Sequence, residues 1–132
     1  MQATGKQIWY MRKLVERLRK EIENEIGWEE ARQSGEYPSN RLIGLWIAKE
    51  YARIPQHILE DRRQTSDYIE FLVALEKVNG DLKALIERVK GGEQEFRRLE
   101  RNETYQEAES VYMHYVTLCD ECALEGKPFV FP

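Results

Sequence analysis

The chain has 132 residues, 42% of them hydrophobic and 33% charged, with 24 acidic against 20 basic side chains for a formal net charge of −4. One domain of this length can bury a core without cross-links, and the composition excludes a disordered chain. The negative total argues against a nonspecific nucleic-acid binder, although a local basic face is compatible with it. No uncharged run, that of residues 42–48 included, approaches the roughly 20 residues that cross a bilayer. The opening residues lead straight into a charged segment with no apolar stretch of the signal-peptide kind. A cytoplasmic protein without membrane contact is therefore expected.

Thr4 and Gln7 have the spacing of a capping box. Ile8, Met11, Val15, Leu18, Ile22 and Ile26 then recur at three- and four-residue steps, which predicts a first helix over 5–26 with Gly27 as its stop. Residues 27–40, with Trp28 and Tyr37, read as a loop containing one short turn. Ser39 or Asn40 caps a second helix, predicted over 41–53. Its apolar residues Leu42, Ile43, Leu45, Trp46, Ile47 and Tyr51 surround most of the axis, so this helix, with Trp46 in it, is expected at the centre of the fold. Pro55 ends it, and 56–62 reads as a short helix. Thr65, Ser66 and Asp67 are cap candidates for a helix over 67–79.

Asn79-Gly80 breaks that helix, and Asp81 starts another with Leu82, Leu85, Ile86 and Val89 on one face. Gly91-Gly92 reads as a hinge. The stretch 93–101 is polar apart from Phe96 and Leu99. Thr104 and Glu107 form a second capping box before a last helix over 105–124, stopped by Gly126 and Pro128. Only Phe129–Phe131 has strand character. The expectation is an all-α, compact, single-domain bundle of about five to seven helices, one or two of them short.

The chemistry on offer is sparse. Cys119 and Cys122 have the spacing of half a zinc site, but no second pair accompanies them, and on a helix both fall in the apolar stripe, where free cysteine behaves as a small hydrophobe. His57, Glu60 and Asp61 could share a helix face as a partial metal site. Walker, Rossmann, zincin and nucleophile-elbow motifs are absent. Glu29-Glu30 followed by Gln33 departs from the Glu-Glu-x-x-Glu pattern of all-α nucleotide pyrophosphohydrolases. On the first helix Lys6, Lys13, Arg17 and Lys20, with Tyr10 beside them, form a basic face that could track a phosphate backbone. Glu16, Glu21 and Glu23 flank it at ion-pair spacing. Trp9 and Trp28 lie off the apolar stripe, and the segment Phe129-Val130-Phe131 follows a helix stop. These five residues are candidates for contact with a protein partner.

Trp46-Ile-Ala-Lys-Glu-Tyr-Ala-Arg-Ile-Pro-Gln-His-Ile-Leu, followed after a spacer by Asp67-Tyr-Ile-Glu-Phe-Leu-Val-Ala-Leu-Glu-Lys-Val, resembles the small tail-assembly chaperones of tailed phages. The resemblance spans residues 42–78 and carries no catalytic residue. It implies a phage-encoded chaperone that works by binding another protein. The leading expectation is thus a non-enzymatic interaction protein, whether adaptor, assembly chaperone or inhibitor, that needs no cofactor. A nucleic-acid accessory protein and a small metal-dependent all-α enzyme are the alternatives. Self-association is also expected, as a dimer. The seam Ile8, Met11, Val15, Leu18 and Ile22, the C-terminal aromatic segment and the Gly91-Gly92 hinge are the candidate interface elements.

Overall fold

The apolar periodicities become five α-helices and two 3₁₀ segments in the computed structural model, which describes residues 1–132. The helices are α1 (Gly5–Arg32), α2 (Asn40–Tyr51), α3 (Arg62–Lys77), α4 (Leu82–Lys90) and α5 (Glu103–Glu125). The 3₁₀ segments are Gln56–Glu60 and Gln94–Arg101. No residue is in a strand, Phe129–Phe131 included. The whole is an all-α compact bundle.

The predicted central helix is central. α2 packs against α1, α4 and α5, and Leu42, Ile43, Leu45, Ile47 and Ala48 are almost fully buried. Gly44 lets α4 come close, since a Cβ there would stand 3.1 Å from the Lys83 backbone nitrogen. Trp46 is a correction: it is only half-buried, packed on the rim of the core and against Phe131 of the C-terminal segment. On α1 the buried residues are Met11, Leu14, Leu18 and Ile22, and the helix packs against α2 and α3. Leu14 belongs to this face although the seam read from the sequence left it out. Met11, Leu18 and Ile22 are thus spent inside the chain, with no exposed area left for a partner helix.

Three predicted boundaries are corrected. α1 does not stop at Gly27 but continues to Arg32. α3 begins five residues before the expected position 67, because Asp61 is its cap, accepting from the Arg63 and Gln64 N–H groups. Thr65, expected as a cap, is instead fully buried and donates to the Ile58 and Asp61 carbonyls at 2.6 and 2.9 Å. α5 is capped by Asn102, not by Thr104 with Glu107. The Asn102 side chain accepts from Tyr105 N–H at 3.0 Å and donates to Asp67 O and Glu70 Oε1 at 2.8 and 3.2 Å. A buried amide with partners on another helix fixes the start of α5 better than an exposed threonine would. Just before it, the Gln94–Arg101 segment shows a period of three, so Phe96, Leu99 and Asn102 stack on one buried edge.

One guanidinium joins three helices. Arg41, in the first turn of α2, donates to Glu25 (2.6 Å) and Glu29 (2.7 Å) of α1 and to Asp81 (2.9 Å), the cap of α4. Ser39, the α2 cap, donates to Glu29 as well. Burial pushes the Glu29 carboxyl up, but the hydrogen bonds from Arg41 and Ser39 outweigh it and hold the group below its ordinary range. Such a carboxylate stabilises the fold above the unfolded pKa of about 4.3, and that contribution is lost as pH falls through its folded value. Arg41→Ala should cost about 2–3 kcal/mol at pH 7, because three carboxylates lose their counter-charge. It also leaves burial of Glu29 opposed only by Ser39 and Arg32, so less carboxylate stabilisation remains for protonation to remove in the variant than in the native chain. Urea denaturation should therefore show the gap closing as pH falls from about 5 to about 3. A gap that does not change with pH would remove this network as its cause.

Candidate functional site

Side chains on a straight helix advance by about 100° per residue. Because α1 runs past Gly27, this angle puts Lys6, Trp9, Tyr10, Lys13, Arg17, Lys20, Asn24 and Trp28 within an arc of about 100° and over a length of about 33 Å. All eight are exposed. Trp9 keeps 63% of its surface in water and Trp28 keeps 65%. The residues predicted separately, Trp9 and Trp28 for a protein partner and the basic set for nucleic acid, therefore form one face. No carboxylate of α1 falls inside the arc. Glu16 and Glu21 stand just outside its two edges. The stripe is basic and aromatic on a chain of formal net charge −4.

The basic residues differ in what they do. Arg17 makes a bidentate bond to Glu76 of α3, both contacts at 3.1 Å. The hydrogen bond and charge of Glu76 raise the Arg17 pKa. The Lys13 ammonium lies 5.9 Å from the centre of the Trp9 ring, within cation–π range. Lys6 and Lys20 make no ion pair within the chain. Asn24, which the sequence reading passed over, completes the stripe between Lys20 and Trp28. Its position 18 residues after Lys6 is five full helical turns, so the spacing places it on this face.

The other predicted residues are dispersed. No three His, Cys, Asp or Glu side chains come together to hold a metal ion. His57 and Glu60 sit on the first 3₁₀ segment, while the Asp61 carboxylate is engaged at the start of α3. Cys119 is buried with its Sγ 4.0 Å from the Pro38 carbonyl, and Cys122 is half-buried. Phe129 and Phe131 pack on the chain's own core, and Val130 points outward with 78% of its surface exposed.

Near that C-terminal segment a cleft of about 390 Å³ is lined by Tyr51, Tyr68, Arg53, His57, Glu107 and Phe131, among others. Its tyrosines are committed: Tyr68 donates to the Tyr51 carbonyl at 2.6 Å, and Tyr51 donates to Glu107 at 2.8 Å. Burial raises both phenol pKa values well above the ordinary range, with Glu107 reinforcing the effect at Tyr51. Neither offers a phenolate at neutral pH. The cleft and the α1 stripe both present large apolar groups beside charge.

The fold and its exposed α1 face thus define a small helical bundle with a basic, aromatic outer stripe. Comparisons with protein-family models, with curated proteins and with solved structures give no match.

The cysteines provide a check on this placement. Burial raises the Cys119 pKa, with Asp120 adding to the effect, so it holds less thiolate at neutral pH. Iodoacetamide at pH 8 should alkylate Cys122 several-fold faster than Cys119 in the native protein, as read by peptide mass mapping. Equal rates would place the Cys119 side of α5 in water.

Proposed function

We propose that this protein is a non-enzymatic helical adaptor that binds another protein through the outer stripe of α1. The observation that carries the reading is the convergence of Trp9, Tyr10 and Trp28 with four basic side chains on one exposed face. Tryptophan, tyrosine and arginine dominate the binding energy of protein interfaces, because each buries a large rigid surface and keeps a polar end. Lysines between them favour a partner helix or surface that carries carboxylates, which steers the encounter.

A single-stranded nucleic acid is the rival ligand for a basic face with aromatics. Three features favour protein. Arg17 is already committed to Glu76. Glu16 and Glu21 border the stripe and interrupt the continuous positive track that a phosphate backbone requires. The two tryptophans stand about 28 Å apart along the axis, which suits an elongated partner helix laid along α1. An assembly chaperone of the kind that residues 42–78 resemble is one form of such an adaptor.

The test uses affinity capture followed by titration of the purified partner. Trp9→Ala with Trp28→Ala should weaken binding by about ten-fold or more while helical circular dichroism stays native. Lys13→Glu with Lys20→Glu should mainly slow association and flatten its salt dependence. A partner held equally by the tryptophan variant would sink the proposal. So would an oligonucleotide whose affinity falls linearly with log salt and disappears in the lysine variant.

A further inference from the structure

The outer face of α5 carries a charge pattern opposite to that of the α1 stripe. From Glu103 to Glu125 the helix has six carboxylates, Glu103, Glu107, Glu109, Asp120, Glu121 and Glu125, and none of the chain's 20 lysines and arginines. Its inner face is set by Tyr105, Ala108, Tyr112 and Cys119, all buried. At about 100° per residue, Glu103, Glu107, Glu121 and Glu125 fall within about 40° of one another on the outer side. All four are exposed. Beside this ridge stand Met113 and Leu124, within about 20° of each other and about 16 Å apart along the axis. They keep 43% and 88% of their surface in water. The acids of the ridge have little countercharge: only Glu125 forms an ion pair, with its near neighbour Lys127, and Glu107 accepts from the Tyr51 hydroxyl.

The two faces match in length and in chemistry. The α1 stripe runs about 33 Å from Lys6 to Trp28, and the 23 residues of α5 run about 34 Å. They do not neutralise each other inside one chain. α2 packs against both α1 and α5, and no ion pair joins α1 to α5. Both faces look outward, each with large apolar side chains beside its charge: Trp9 and Trp28 on α1, Met113 and Leu124 on α5.

We infer that the acidic helix which covers the α1 stripe is α5 of a second copy of this chain. The inference rests on the reading of the stripe as a protein-binding face and names its partner. Lys6, Lys13 and Lys20 supply the countercharge that the glutamate ridge lacks, and the tryptophans supply apolar cover for Met113 and Leu124. Each copy holds both halves of the interface, so the assembly is a dimer or ring where the rotation closes and an open chain where it does not. One helix laid on another is a small interface, so the association belongs to the micromolar range and weakens with salt.

Sedimentation equilibrium of the full chain tests this, at concentrations up to about 500 μM in low salt. The native chain should exceed a one-chain mass, and its self-affinity should fall about ten-fold or more between about 50 and about 500 mM salt. Lys13→Glu with Lys20→Glu, and separately Glu121→Lys with Glu125→Lys, should each weaken self-association about ten-fold or more. All four positions are exposed, and lysine is favourable near a helix C-terminus. An equimolar mixture of the two variants should associate again, because an acidic stripe then meets a basic α5 and a basic stripe meets an acidic α5. A native chain of one-chain mass throughout, association indifferent to salt, or a mixture of natively helical variants that stays apart overturns the inference. A monomeric native chain that binds a different protein through Trp9 and Trp28 overturns it while leaving the adaptor reading in place. A stripe that binds neither a second copy nor another protein overturns both.

Discussion

Arg41 has more carboxylates around it than its charge can balance, and that constraint organises the bundle. Glu25, Glu29 and Asp81 all reach it within 2.9 Å. Asp81 serves two roles with its two oxygens, since Oδ2 accepts from Arg41 while Oδ1 caps α4 through Ala84 N–H. Glu29 likewise accepts from Arg41 and from Ser39, the residue that caps α2. The end of α1 and the starts of α2 and α4 thus share one connected hydrogen-bond network. Burial alone would lower the Arg41 pKa, yet the three acids keep it above its ordinary value. A planar guanidinium with five N–H donors can serve three acceptors in this way, and a lysine could not replace that fan.

The same network decides where the outer stripe of α1 ends. Glycine in a helix interior costs about 1 kcal/mol relative to alanine, and no close packing calls for it at Gly27, where an added Cβ would meet open space. Glu25 and Glu29 lie on either side of it, one turn apart, and both bind Arg41. The helix therefore runs on for another turn, and Trp28 joins Tyr10 and Lys6 on one face. At the other end of α2, Arg19 of α1 donates to the Ala52 carbonyl at 2.6 Å, so α1 holds both ends of its neighbour. A cation at a helix C-terminus also meets the negative end of the helix dipole. The long helix is at once the clamp on the central helix and the carrier of the exposed face.

Polar groups drawn into the core are matched throughout, since no buried side-chain nitrogen or oxygen lacks a partner. Thr65, Asn102, Tyr51 and Tyr68 each bond to a carbonyl or carboxylate on a different element or turn. These contacts explain why α3 and α5 begin where they do. They also leave the functional surfaces outside the core, on α1 and α5, where apolar groups meet water.

The number of long helices and their buried faces were legible in the sequence, because a period of 3.6 residues marks an apolar face without reference to anything distant. The Thr4–Gln7 capping box, the Ser39 cap, the break at Asn79-Gly80 and the left-handed Gly126 are local signals, and each appears where its residues predict. Periodicity could not say what would cover each face. It placed Trp46 at the centre, whereas packing put Ile43 and Leu45 inward and turned Trp46 toward Phe131. Nor could it show that Gly27 stays helical, since the compensating partner stands 14 residues further on. Local spacing favours threonines nearer the apolar runs over the actual caps Asp61 and Asn102, and Asn102 is secured by contacts 32 and 35 residues away. Local propensity and spacing thus determined which segments are helical. Tertiary structure decided where they begin and end, because at a helix terminus the energy of one distant hydrogen bond equals or exceeds the local preference.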